Sequence, residues 1–124
     1  MQPEDLVRMA HMRDACASIQ RFLHAKERSD LSKDELLQFA LVRALEIIGE
    51  AAARVSESTR LSAPEIPWRE ATSIRNRLIH AYFDVDLDVL WVTVSESVPL
   101  LHRQLESLLT ANGSAGAAGR VPPG

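Results

Sequence analysis

One short segment, residues 75–82, holds the residue types that acid–base and phosphate chemistry require. It reads Arg-Asn-Arg-Leu-Ile-His-Ala-Tyr. Histidine transfers protons near neutral pH, and arginine offers a permanent charge and a fork of donors that matches phosphate oxygens. Arg75, Arg77 and His80 are therefore candidates for phosphate and proton chemistry. Asn76 can orient the histidine or donate to phosphate, and the Tyr82 ring can stack on a base. The simpler alternative is that the arginines belong to a solvated helix face and that the histidine only stabilises the carbonyl end of its helix.

The reaction that fits these groups is RNA cleavage by internal transesterification. It needs a base for the ribose 2′-hydroxyl, an acid for the leaving 5′-oxygen, and positive charge near the pentacoordinate phosphorus. It needs no metal ion. The histidines and the single cysteine, Cys16, are not at metal-ligand spacing. We therefore expect no metal and no cofactor.

Helical geometry limits which of these side chains can meet. At about 100° per residue, Asn76 and His80 share one helix face and Arg77 flanks it. Arg75 is displaced from His80 by roughly 140°, so one straight helix cannot aim both at one small group. Two copies of the helix across a twofold axis can do so. The spacing therefore favours a homodimer.

The rest of the chain resembles an ordinary small globular domain. It has 124 residues, of which 46% are hydrophobic and 25% charged, and its net charge is −3. This charge argues against a protein that coats nucleic acid through bulk positive charge. No apolar run approaches the roughly 20 residues of a membrane span, and the acidic N-terminus does not resemble a signal peptide. We expect a cytoplasmic protein without membrane association.

Apolar residues that recur every three or four positions predict four helices. Their approximate spans are 3–25, 32–56, 67–82 and 86–110. Ser32 begins a capping-box pattern, Asp86 is the predicted N-cap of the fourth helix, and Pro99 predicts a kink within it. Residues 59–67 form a predicted connector. We therefore predict an all-α four-helix bundle over residues 1–110 and a disordered tail over residues 111–124, which is rich in Gly, Ala and Pro.

Two acidic residues of the second helix, Glu46 and Glu50, are one turn apart. The simpler interpretation is that they face solvent or pair with neighbouring arginines, Arg43 and Arg54. The alternative is that one of them orients an arginine of segment 75–82. Both interpretations remain open from the sequence alone.

Four further residues have structural interpretations. Gly49 interrupts a helix, which indicates either close backbone approach at a helix crossing or dimer seam, or a tolerated defect. Trp68 and Trp91 are predicted to belong to the core or an interface, and Cys16 is predicted to be an inert core residue.

Three blocks of the sequence together resemble the HEPN-domain ribonucleases, and more narrowly the HepT-like toxins. The first is the 75–82 segment, where Arg75, His80 and Tyr82 have the spacing of the family motif. The second is Ala-Leu-Glu-Ile-Ile-Gly-Glu-Ala-Ala at 44–52. The third is Ile-Pro-Trp-Arg-Glu at 66–70, together with Tyr-Phe-Asp-Val-Asp at 82–86 and Trp91. The resemblance covers roughly residues 4 to 109.

The resemblance implies a HEPN-type bundle that dimerises through the second and third helices, with the active cleft at the interface. It implies that Arg75 and His80 are catalytic with Asn76 in support, and in this interpretation Arg77 and Tyr82 bind the substrate. It also implies that the chain is the toxin of a toxin–antitoxin pair. Its partner would be a minimal nucleotidyltransferase antitoxin that silences the toxin by transferring AMP to Tyr82. The alternatives are a non-catalytic module that binds a nucleotide or a partner protein, and a plain dimeric bundle whose arginines are only surface charge.

Overall fold

The computed structural model describes the backbone of residues 1–78 and 85–117, with side chains through residue 112. Every regular element in these ranges is helical, which confirms the all-α prediction. The elements are α1 (Pro3–Phe22), α2 (Arg28–Lys33), α3 (Glu35–Ala53), α4 (Glu57–Ser62), α5 (Trp68–Thr72), α6 (Ile74–Leu78), α7 (Leu87–Val92), a π-helical segment (Thr93–Ser97) and α8 (Val98–Ala117).

The long helices α1, α3 and α8 enclose the core, because α1 packs against both of the others. The α5–α6 segment packs on α3, and α7 contacts α6. The four predicted helices therefore correspond to α1, α3, α5–α6 and α7–α8. Burial of apolar side chains from all four predicted helices drives this packing. The fully buried side chains include Met9, Met12, Ile19, Leu41, Leu45, Ile48, Leu78, Leu90 and Leu105.

The second predicted helix begins later than the sequence pattern indicated. Asp34, not Ser32, is its N-cap, since the Asp34 carboxylate accepts a hydrogen bond of 3.0 Å from the Leu37 amide. Ser32 belongs to the separate helix α2, where its hydroxyl donates to the Ser29 carbonyl. The predicted Ser32 capping box is therefore wrong: two acceptors lay near the helix start, and only one could serve as the cap.

The predicted connector over residues 59–67 contains part of a helix, α4, whose N-cap is Ser56. This helix is tied to α1 by Asp5, which is only 4% exposed. The Asp5 carboxylate accepts hydrogen bonds from the Ser56 amide (3.0 Å), the Ser56 hydroxyl (2.6 Å) and the Thr59 hydroxyl (2.6 Å). These bonds, led by the one from the Ser56 hydroxyl, hold the pKa of Asp5 below its ordinary value.

The third predicted helix is divided at Ser73 into α5 and α6. The hydroxyls of Thr72 and Ser73 both donate to the Arg69 carbonyl, at 3.1 and 2.8 Å. Such side-chain bonds compete with the regular helical ladder and explain the break. The predicted end of this helix at Tyr82 lies outside the described residues.

Gly49 lets this segment approach α3 closely. A Cβ atom at this position would lie 3.2 Å from the Ala71 carbonyl oxygen of α5. Of the two interpretations of Gly49, close approach at a helix crossing is therefore confirmed.

The fourth predicted helix begins as expected, because the Asp86 carboxylate accepts from the Asp88 and Val89 amides, each at 3.1 Å. The disruption expected at Pro99 takes the form of the π-helical segment that precedes it. A proline ring collides with the carbonyl four residues earlier, here that of Ser95, and a wider turn relieves this collision. Helix α8 continues to Ala117, beyond the predicted boundary at residue 110. The disordered tail stays a prediction, and residues 118–124 lie outside the described ranges.

The predicted core positions of the single cysteine and the two tryptophans are confirmed. Cys16 is fully buried, and burial raises the pKa of its thiol to about 12. Trp68 and Trp91 pack partly buried against the core, and the Trp68 indole donates to the Ala63 carbonyl at 3.0 Å. None of the helices described has both the length and the apolar character that crossing a bilayer requires.

Candidate active site

The short helix α6 carries three of the predicted site residues. Its two ends are anchored by Ile74 and Leu78, which are 6% and 1% exposed. Arg75, Asn76 and Arg77 between them are all exposed. The predicted site residues His80 and Tyr82 lie outside the described part of the chain.

Arg75 is held by a carboxylate from a neighbouring helix. Its Nε donates to Oε2 of Glu46 on α3 at 2.9 Å. The Glu46 side chain is 24% exposed and that of Arg75 is 61% exposed. Among the residues that the structure describes, Nε is the one donor of Arg75 that is engaged, and the four N–H groups on the two Nη atoms have no described partner. The contact therefore orients a guanidinium whose outer end can receive an anion.

The carboxylates of α3 form a small charge network with Arg43. Nη1 of Arg43 lies 3.6 Å from Oε1 of Glu46 and 3.6 Å from Oε2 of Glu50. Glu46 thus pairs with Arg43, as the simpler interpretation predicted, and also orients Arg75, as the alternative predicted. The i, i+3 spacing suggested the first contact, whereas the second depends on how α6 packs on α3.

Arg77 points to a different part of the surface from Arg75. It lines a cavity of about 250 Å³ between the α5–α6 segment and α8, with apolar walls that include Ile74 and Leu101. Arg75 and Arg77 are separated by about 200° around the helix, which explains why one chain does not bring them together. Asn76 makes no side-chain hydrogen bond to another described residue. Within residues 1–78 and 85–117, no group of three or more His, Cys, Asp or Glu side chains could hold a metal ion.

The sequence is similar to a described protein family and to several named proteins. The family described as "Ribonuclease HepT-like" matches residues 12–108. A protein of Thermococcus cleftensis named "Probable ribonuclease HepT" is 45% identical over 95 residues, which cover 77% of this chain and 86% of that protein. A protein of Caldanaerobacter subterraneus named "Putative RNase" is 33% identical over 101 residues, covering 82% of this chain and 90% of the relative. No solved structure matches. The family match spans α6 and the part of α3 that holds Glu46.

Proposed function

Because the chain belongs to the HepT-like ribonuclease family, we propose that it is a metal-independent endoribonuclease that cuts RNA by attack of a ribose 2′-hydroxyl on the adjacent phosphorus. The observation that carries the proposal is the exposed Arg75 guanidinium, which Glu46 holds through Nε and whose Nη atoms have no partner in the described part of the chain. A fixed fork of donors is suited to a phosphate on which negative charge grows during the reaction.

The proposed roles follow from the chemistry of each side chain. His80 takes the proton of the 2′-hydroxyl, while the 5′-oxygen leaves with a proton from a second acid, which a histidine of the partner copy can supply. Arg75 stabilises the charged phosphorus intermediate, and Asn76 orients the histidine or donates to the phosphate. Arg77 and Tyr82 bind the remainder of the substrate. The products are a 2′,3′-cyclic phosphate and a 5′-hydroxyl.

We propose further that the active cleft lies between two copies of the chain. Two large apolar side chains one turn apart on α3, Leu36 and Phe39, are 79% and 60% exposed. Glu46, which holds Arg75, continues the same helix face at three- and four-residue spacing from Phe39 through Arg43. A dimer contact through α3 and the α5–α6 segment would cover the apolar pair and place both α6 helices beside one cleft.

The proposed partner is a nucleotidyltransferase antitoxin that silences this toxin by transferring AMP to Tyr82. An added AMP group brings bulk and a phosphate charge close in sequence to His80. That phosphate would occupy the anion site that a substrate phosphate needs at Arg75. Silencing would therefore act by competition for the same guanidinium.

The test measures cleavage of total RNA and tRNA in the presence of EDTA. We expect Arg75→Ala and His80→Ala to reduce cleavage at least a hundredfold, since each removes a group that acts in the transition state. The control is Arg21→Ala, which removes an exposed arginine whose described side-chain bond is only to Ser18. The chain coexpressed with its antitoxin should be inactive and carry AMP, whereas a coexpressed Tyr82→Phe variant should remain active.

Three outcomes would contradict these assignments. Equal cleavage by the wild type and both alanine variants would show that Arg75 and His80 are not catalytic. Binding of RNA without any cleavage would favour the non-catalytic module. An inactive coexpressed chain without AMP on Tyr82 would show that the antitoxin acts by another route.

A further inference from the structure

A pocket lined mainly by charged side chains lies between α1 and α3. It is separate from the apolar cavity that Arg77 lines. It measures about 140 Å³. Two residues of α1, three of α3 and the residue that caps the end of α3 line it: Arg8, His11, Ile47, Glu50, Ala51 and Arg54. The two helices run antiparallel here, since the start of α1 also bonds to Ser56 just beyond the end of α3. This packing brings two arginines distant in sequence to one hollow.

The charges at this pocket are unbalanced. Neither Arg8 nor Arg54 forms an ion pair with another residue of the described chain, whereas Arg43 of α3 and Arg75 of α6 both pair with glutamates. The one acidic side chain in the lining, Glu50, is engaged by Arg43 at 3.6 Å. His11 adds an N–H donor in either neutral tautomer. Two guanidinium groups and an imidazole therefore remain available for an anion.

A continuous polar stripe on α3 connects this pocket with the candidate active site. The stripe consists of Arg43, Glu46, Glu50 and Arg54, which recur at three- and four-residue spacing and so share one helix face. Glu46 holds Arg75, and Arg54 lines the pocket. Eight residues of helix separate Glu46 from Arg54, a distance of about 12 Å along the axis.

We propose that Arg8, His11 and Arg54 form a second phosphate-binding site for the backbone of the RNA substrate. The proposal deepens the proposed ribonuclease function and rests on it. A stacked strand rises about 3.4 Å per nucleotide, so about 12 Å corresponds to three or four nucleotides from the scissile phosphate. The substrate is then a single-stranded RNA long enough to reach both sites. The chain has a net charge of −3, so it does not attract RNA through its overall charge. A local cluster of arginines would provide the phosphate contacts instead.

The test compares a twelve-nucleotide single-stranded RNA with a dinucleotide, using the double variant Arg8→Gln/Arg54→Gln. We expect KM for the longer RNA to rise about tenfold, with kcat within twofold of wild type, because the site binds ground state and transition state equally. The dinucleotide should be cut at unchanged kcat/KM. A plot of the logarithm of the binding constant against the logarithm of the salt concentration should become less steep. Its slope should decrease in magnitude by about 0.7 for each phosphate contact removed.

Two controls separate charge from folding. Arg21→Gln removes an exposed arginine of the same helix about 20 Å from Arg8, and should leave every parameter unchanged. Arg8→Lys/Arg54→Lys keeps both charges and should retain most of the affinity for the longer RNA. If the double glutamine variant loses its helical circular dichroism signal, the two single glutamine variants and the lysine variant replace it. Weaker RNA binding by folded glutamine variants, with binding retained by the lysine variant, would then show that charge and not folding is responsible.

Binding of a 2′-O-methyl RNA of the same length, measured by fluorescence anisotropy, distinguishes the two proposals because it requires no cleavage. Weaker binding by the glutamine variant supports the second site even if the wild type cuts no RNA. Unchanged KM and unchanged binding, with normal cleavage, would overturn the second site and leave the ribonuclease proposal intact. An equal loss on the dinucleotide would also overturn it.

Discussion

At the scale of single residues, the role proposed for Arg75 depends on its contact with Glu46. An exposed ion pair contributes little to stability, because solvent screens it and both side chains lose conformational freedom. In the proposed site its importance is geometric, because the carboxylate holds Nε and leaves the two Nη atoms without a partner among the described residues. A catalytic group held in a productive orientation does not have to be ordered during the reaction.

Glu46→Ala should therefore lower kcat about tenfold without raising KM, since the variant frees Arg75 but also removes a negative charge that repels phosphate. Glu46→Gln keeps a hydrogen-bond acceptor and should retain most of kcat. Steady-state cleavage of a short RNA measures both constants. Glu106→Ala is the control, because Glu106 is a half-exposed carboxylate that pairs with Arg13 of another helix at 3.5 Å and lines neither the candidate site nor the pocket of Arg8 and Arg54. Wild-type kcat in Glu46→Ala would show that Arg75 needs no orienting partner.

At the scale of elements, the buried carboxylate of Asp5 joins α1 to the start of α4. Three donors satisfy it, and it is nearly inaccessible to solvent. Such a group stabilises the fold while it is ionised and fully bonded. The same junction fixes the antiparallel pairing of α1 and α3, on which the pocket between Arg8 and Arg54 depends.

Asp5→Asn should reduce the free energy of unfolding by about 2 kcal/mol at pH 7, because an amide accepts fewer of these bonds. The pKa of Asp5 is lowered in the folded protein, so the carboxylate stabilises the fold above its unfolded pKa of about 3.9. This stabilisation is lost as the pH falls through the still lower folded pKa. The difference between wild type and variant should therefore shrink below about pH 4.

Urea unfolding at pH 7 and at pH 3 measures this difference. Glu4→Gln, which changes the adjacent exposed acidic residue, should have little effect at either pH. A difference between wild type and Asp5→Asn that is equally large at both values would contradict a role for the ionised carboxylate.

At the scale of the whole molecule, the apolar pair Leu36 and Phe39 is the feature that a single chain leaves unexplained. Each side chain is more than half exposed, and they lie one turn apart on α3. A chain of this size buries about two-thirds of the surface that its unfolded form exposes when it folds alone, so association that also covers such an apolar pair is favourable. The proposed shared cleft makes activity depend on that association.

Leu36→Glu/Phe39→Glu should convert the protein to a monomer and abolish RNA cleavage while leaving its helical content unchanged, because two charges cannot be buried unpaired at an interface. Analytical ultracentrifugation and cleavage assays measure the two effects. The control is Leu61→Glu, which changes a residue 74% exposed on α4 and should alter neither. A monomeric wild type that cuts RNA, or an active monomeric variant, would rule out the shared cleft.

The sequence by itself predicted the features that depend on local chemistry. The all-α class and the Asp86 cap follow from residue spacing and from side chains that bond within one turn. The family resemblance also needed only the order of short blocks. Local signals were ambiguous where two neighbouring side chains, Ser32 and Asp34, could each cap the same helix. They also did not reveal the helix break at Ser73, where side-chain hydroxyls donate to a backbone carbonyl of the helix.

Only the tertiary structure decided which distant side chains meet. Three features each join distant parts of the chain: Glu46 pairs with Arg75, Asp5 accepts a hydrogen bond from Ser56, and Arg8 and Arg54 line one pocket. Their spacing along the chain does not encode these contacts, because packing of apolar helix faces sets the separation and direction of the helices. Polar groups then meet wherever that packing brings them together.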